Sequence, residues 1–161
     1  MFRWQAPRSR TARNAFTVIE LVVVLMILGI VAAATAPSFY RSLHHHQMES
    51  AARRIKADLE LVQHTARLTS RSQSITFTDR TYTLSADVVD LDHPDAAYFV
   101  DLAASPFELD DVTLDFGGPT TITFNGFGTP SAGGTIVLTK GDEQRTVVLN
   151  QSTGQATISI E

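Results

Sequence analysis

Residues 16–37 read FTVIELVVVLMILGIVAAATAP, an apolar run broken by a single charge, Glu20. From Phe16 to Ala36 a helix rising about 1.5 Å per residue covers roughly 31 Å, the thickness of a bilayer's hydrocarbon core. The run therefore predicts a membrane-spanning helix. A carboxylate one turn inside such a span is costly in hydrocarbon, so Glu20 is a functional group in need of a cation. The alternative, a chance charge whose side chain snorkels toward the interface, fits its neighbours less well.

The flanks give the span a direction. Residues 1–15, MFRWQAPRSRTARNA, carry Arg3, Arg8, Arg10 and Arg13 and no acid. A basic flank stays cytoplasmic, which sends the rest of the chain outward. A secretory signal peptide cut after Ala34-Thr35-Ala36 fits the same outline. Pro37 just past that cut and Glu20 within the apolar region count against it.

Asn14-Ala15-Phe16-Thr17-Val18-Ile19-Glu20-Leu21, followed by the apolar run, resembles the processing and methylation site of type IV pilins and type II secretion pseudopilins. The resemblance implies cleavage by a prepilin peptidase between Ala15 and Phe16 and N-methylation of Phe16. It implies pairing of Glu20 with the Phe16 amine of a neighbouring subunit during filament assembly. Gly29 and Pro37 fall where pilin helices carry their helix-weakening residues. One departure is Ala15, where these families usually have Gly; Ala is the commonest substitute. The partners so implied are other pseudopilins or pilins, the peptidase and an inner-membrane assembly platform.

One span leaves about 120 residues outside the bilayer, enough for one domain with its own core. Cysteine is absent, so there is neither a disulfide framework nor a thiolate metal site. Without the leader the chain holds 9 basic and 17 acidic residues, and these are sorted. From Arg41 to Arg71 six bases face three acids, whereas from Ser72 to Glu161 three bases face thirteen. Phosphate neutralisation dominates nucleic-acid affinity, so a head of this sign is ill suited to DNA or RNA.

Beyond Pro37, Met48, Ala52, Ile55, Leu59, Val62, Ala66 and Thr69 recur at steps of four and three, one apolar helix face. Glu49, Arg53, Lys56, Glu60, Gln63 and Arg67 form the expected solvated face. One helix from about Thr17 to Thr69 is predicted, kinked or melted near Gly29 and Pro37, since an interior Pro costs about 3 kcal/mol. Two helices joined by a loop at Ala36-Pro37-Ser38 is the alternative.

From Ser74 the period changes to two. Ile75–Thr78 and Thr81–Leu84 around Asp79-Arg80 predict a hairpin. Further strands are expected at 97–102, 112–116, 121–125, 135–139, 145–149 and 156–160, the last three as an antiparallel meander. No repeat or low-complexity tract appears.

The stretches Ile122–Pro130, Gly134–Leu138, Arg145–Asn150 and Thr153–Ala156 are similar to the C-terminal half of H-type minor pseudopilins and the related T-type fimbrial minor pilins. The resemblance implies an α+β fold: a long N-terminal transmembrane and amphipathic helix packed on an antiparallel, β-sandwich-like head. The organisation expected is a cleaved leader (1–15), a transmembrane half-helix (16–36), an amphipathic half-helix (37–72) and a periplasmic head (73–161), anchored in the inner membrane. Gly126 and Gly128 are expected to supply backbone conformations closed to other residues.

Candidate sites outside this scheme are weak. His44-His45-His46 point about 100° apart on a helix and cannot chelate one ion together; only His45 and Glu49 could share a face. Asp87, Asp90, Asp92 and Asp95 offer oxygen ligands for calcium, but without the spacing or glycine of a calcium loop; an exposed acidic loop is the plainer reading. Gly126-Phe127-Gly128 and Gly133-Gly134 lack the helix and Lys-Ser/Thr pair of a phosphate cradle. No nucleophile and base pair is evident: four of the five histidines lie on the stem, and His93 has no serine partner. No cofactor and no enzymatic activity are expected.

Overall fold

The computed structural model describes residues 16–85, 87–89 and 96–159, with side chains at 34–41 left aside. The leader with Ala15, and Asp90, Asp92 and Asp95, lie outside the described residues. One helix, α1 (Val18–Thr69), precedes eight strands: β1 (Gln73–Thr78), β2 (Thr81–Leu84), β3 (Phe99–Asp101), β4 (Asp111–Asp115), β5 (Thr121–Phe124), β6 (Gly134–Lys140), β7 (Glu143–Leu149) and β8 (Ala156–Ser159). Every predicted strand is present, with ends shifted by a few residues.

The helical backbone continues through Gly29 and position 37, so neither turn is melted and the loop alternative at 36–38 does not hold. Helix α1 stops where Ser70 turns left-handed at φ 51°, the conformation that commonly ends helices. Two compact units divide at Phe39 and Tyr40.

In the unit from Tyr40 to Glu161 the helix buries the predicted stripe: Met48, Ala52, Ile55, Leu59, Val62 and Ala66 are wholly inaccessible, and Ala51 joins them. Thr69 departs from expectation. It is exposed, and its hydroxyl donates to the Thr65 carbonyl (2.8 Å).

Two four-stranded antiparallel sheets share one buried cluster with this helix face, in orders β3-β2-β1-β5 and β4-β6-β7-β8. The period-two pattern explains the layering, because alternate residues point to opposite faces of a sheet. In the first sheet Ile122, Ile75 and Leu84 stand in register and point inward, as do Phe77, Tyr82 and Val100. Thr121, Thr76 and Thr83 form the outward row. The hairpin turns on Asp79-Arg80, with Asp79 at φ 54° as tight two-residue turns require.

In the second sheet β6, β7 and β8 form the expected meander. Leu114, Ile136, Val147 and Ile158 line up across it. Strand β5 leaves that company and pairs with β1, through Gln73↔Phe124 to Thr76↔Thr121.

Candidate functional site

Two surfaces carry chemistry, one in each unit. The first is the start of α1. Thr17 caps the helix: its hydroxyl accepts from the Glu20 amide (3.3 Å), so Glu20 holds the third helical position, where the helix dipole favours a carboxylate. The Thr17-x-x-Glu20 spacing is that of a capping box, a helix-start signal that the sequence itself carries. Every residue from Phe16 to Ala33 is exposed, Phe16 by 76% and Val18 by 81%. So long an apolar stripe far exceeds the patches that soluble monomers leave open. At Gly29 an added Cβ would meet nothing within 4 Å.

Among the described residues no helix is long and apolar enough to cross a membrane. The stretch that carries the span expectation runs on to position 36, and its last side chains lie outside the described residues. The same holds for the side chain of Pro37.

The second surface is the joint between the outer half of α1 and the head. Asp58, 3% exposed, is its centre. Tyr82 of β2 donates to its Oδ2 (2.5 Å), Tyr98 before β3 donates to its Oδ1 (2.6 Å), and Arg54 Nε, one helical turn back, donates to Oδ2 (3.1 Å). Arg54 Nη2 also donates to the Tyr98 hydroxyl (2.8 Å), and its guanidinium lies 5.6 Å from the centre of the Tyr98 ring. Burial, reinforced by the Asp58 carboxylate, pushes the Tyr82 hydroxyl far above its ordinary pKa, and Tyr98 shifts the same way for the same reasons. Burial works against the charge on Arg54, but the Asp58 carboxylate outweighs it and raises that pKa too. A charged carboxylate is tolerable here because three donors satisfy it.

Two residues expected on the solvated face do more than face water. Gln63 Nε2 donates to the carbonyls of Gly128 and Thr153 (both 2.8 Å), and Arg67 Nε donates to that of Phe127 (3.1 Å). The turn at 125–129 is thereby fastened to the helix end. Gly126 is required because a Cβ there would lie 2.8 Å from the Ser70 carbonyl carbon, and Gly128 because its φ is +79°.

The histidine cluster is also partly engaged. Arg145 of β7 is buried, and its Nη2 donates to His45 Nδ1 (2.9 Å), which places the ring proton of His45 on Nε2. Glu49 pairs with Arg53 (2.8 Å) and lies 3.7 Å from Arg145 Nε; no His45–Glu49 contact forms among the described residues.

Asp87 is exposed and accepts from Gln73 Nε2 (2.8 Å). Among the described residues no group of three or more histidines and carboxylates is placed to hold a metal ion.

Comparison with known proteins accords with this layout. The family model described as "Type II transport protein GspH" matches residues 51–153, and that described as "Prokaryotic N-terminal methylation motif" matches residues 10–36. The type IV minor pilin FimU of Pseudomonas aeruginosa strain PAO1 is a structural neighbour in two crystal forms. One has a TM-score of 0.52 at 20% identity, covering 69% of this chain and 91% of that chain. The other has a TM-score of 0.51 at 20% identity, covering 73% and 90%. At such identity the likeness concerns the fold alone. No curated protein matches.

Proposed function

The chain belongs to the Type II transport protein GspH family and carries the N-terminal methylation motif ahead of a pilin-like head, and from that premise we propose that it is a structural minor pseudopilin. In this reading prepilin peptidase removes residues 1–15 and methylates Phe16, and the mature subunit waits as a single-pass protein of the inner membrane with its head in the periplasm. An assembly platform then draws it into a pseudopilus that drives protein export. Its role is architectural rather than catalytic.

The observation that carries the proposal is the run of exposed apolar residues from Phe16 to Ala33 bearing one carboxylate, Glu20. Such a surface needs lipid or other apolar helices around it. In a filament core Glu20 finds its counter-charge in the Phe16 amine of the next subunit, and a buried ion pair of this kind serves register. Gly29 and Pro37 give the helix local weakness for that packing.

Intact mass of the membrane-extracted protein tests processing: the chain should begin at Phe16 and carry one added methyl. Glu20→Ala should abolish recovery of the subunit in sheared or cross-linked filaments. A retained leader, or undiminished incorporation of the variant, overturns the proposal.

The fold likeness to a type IV minor pilin supports a second reading, service in a pilus for motility or DNA uptake. The last segment, Asn150 to Glu161, has no Lys or Arg, which disfavours direct DNA contact. Incorporation that survives loss of the secretion ATPase and fails on loss of the pilus-assembly ATPase would favour the pilus.

A further inference from the structure

Phe127 is 86% exposed and Leu68 is 72% exposed, the two most open large apolar side chains described between Tyr40 and Ser159. Single exposed apolar residues are ordinary on protein surfaces. What sets Phe127 apart is the rigidity of its support. Asn125 Oδ1 accepts from the amides of Phe127 and Thr129 (3.0 Å each), and the Asn125 carbonyl accepts from Gly128 N (2.7 Å). The Asn125 amide donates to the Thr129 carbonyl (3.0 Å), and Arg67 holds the carbonyl of Phe127 itself. Leu68 is the next residue after Arg67, and Gly126 lies against Ser70. The ring stands on a braced turn while contributing nothing to the core.

We infer that this turn is a docking knob: Phe127, on the turn that Arg67 fastens to the helix end, enters an apolar pocket ringed by carboxylates on the head of another filament subunit. The inference rests on the filament reading above. Braced aromatic residues are the usual anchors of protein interfaces, because little ordering entropy remains to be lost on binding. Charge identifies the partner. Arg67, which holds the Phe127 carbonyl, and Arg71, which follows the Ser70 that Gly126 lies against, are both exposed, so the complementary rim is acidic. An anionic lipid surface also attracts arginines, but it offers no shaped pocket for a ring held in a fixed place. A fluid bilayer also gains nothing from a braced turn.

The test uses the full chain in cells that assemble the filament, with photoreactive benzoylphenylalanine placed at position 127 or, as a control, at the exposed Phe99 of β3. Position 127 should crosslink at least fivefold more than position 99, and to a subunit that itself bears the methylation motif. Phe127→Ser should lower recovery in filaments about tenfold with an unchanged thermal midpoint. Arg71→Glu, which leaves the bracing bonds in place, should cut the crosslink several-fold. Crosslinking confined to lipid, equal yields at 127 and 99, or wild-type incorporation of Phe127→Ser would overturn the knob while leaving the filament reading intact. A wild-type chain that enters no filament would overturn both.

Discussion

Replacing Asp58 with alanine tests the joint between helix and head most directly. The change removes the acceptor shared by Tyr82, Tyr98 and Arg54. Tyr82 is wholly buried, so its hydroxyl keeps no partner and no water, at about 1–3 kcal/mol for an unsatisfied buried group. Breaking a buried ion pair by deleting one member costs about 3–5 kcal/mol. Arg54, with its side chain 41% exposed, can turn to solvent, which places the total near the lower end, about 3 kcal/mol. Asp58→Asn keeps an acceptor oxygen and should cost about half as much. Urea unfolding of the detergent-solubilised full chain, followed by far-UV circular dichroism, reads these values. Tyr82→Phe in the Asp58→Ala background should recover about 1–2 kcal/mol relative to the sum of the single changes, since the orphaned hydroxyl is gone. A cost below 1 kcal/mol for Asp58→Ala, or strict additivity in the double variant, refutes the reasoning.

The tyrosines also set an alkaline limit. The folded-state pKa of Tyr82 lies above its unfolded value of about 10, so its contribution is complete below that pH and is lost as pH rises further, when only the unfolded chain gives up the proton. The unfolding midpoint should fall above about pH 10, with this tyrosine adding a slope of about 1.4 kcal/mol per pH unit that Tyr82→Phe removes; parallel curves for the two proteins would exclude that origin. Gly128→Ala should destabilise by about 1–2 kcal/mol, because φ is +79° and the new Cβ falls 2.2 Å from Arg67 Nε. Gly29→Ala meets open space and should leave helix content unchanged or raised, so equal losses in circular dichroism for the two variants would contradict the geometry.

The elements were legible because they are local. Each strand announces itself by alternation within a few residues, and the helix stripe by its steps of three and four. Pairing is another matter: β5 follows β4 in the chain yet joins β1 across more than forty residues, and nothing in Thr121–Phe124 itself names that partner. Asp58 was within reach. Ile55, Asp58 and Val62 follow the same three-and-four spacing as the stripe, so its position was inward; only its charge suggested water. Arg145 is similar, since it shares the inward alternation of Val147 and Leu149 on β7. Gln63 and Arg67 were unreadable as braces because their acceptors are backbone carbonyls, and carbonyls have no sequence signature. For the leader and for Glu20 the motif alone spoke, and it spoke of other molecules.

Asp58 has one further consequence. Its three donors come from separate stretches of chain, so the contact works as an alignment key. Sliding α1 by one turn toward either end would set Arg54 or Val62 before the two phenols, and neither can take a proton from them. Misdocked arrangements are thus penalised even where the surrounding alanines and leucines would pack tolerably, and the key separates one seating of the helix from its near neighbours.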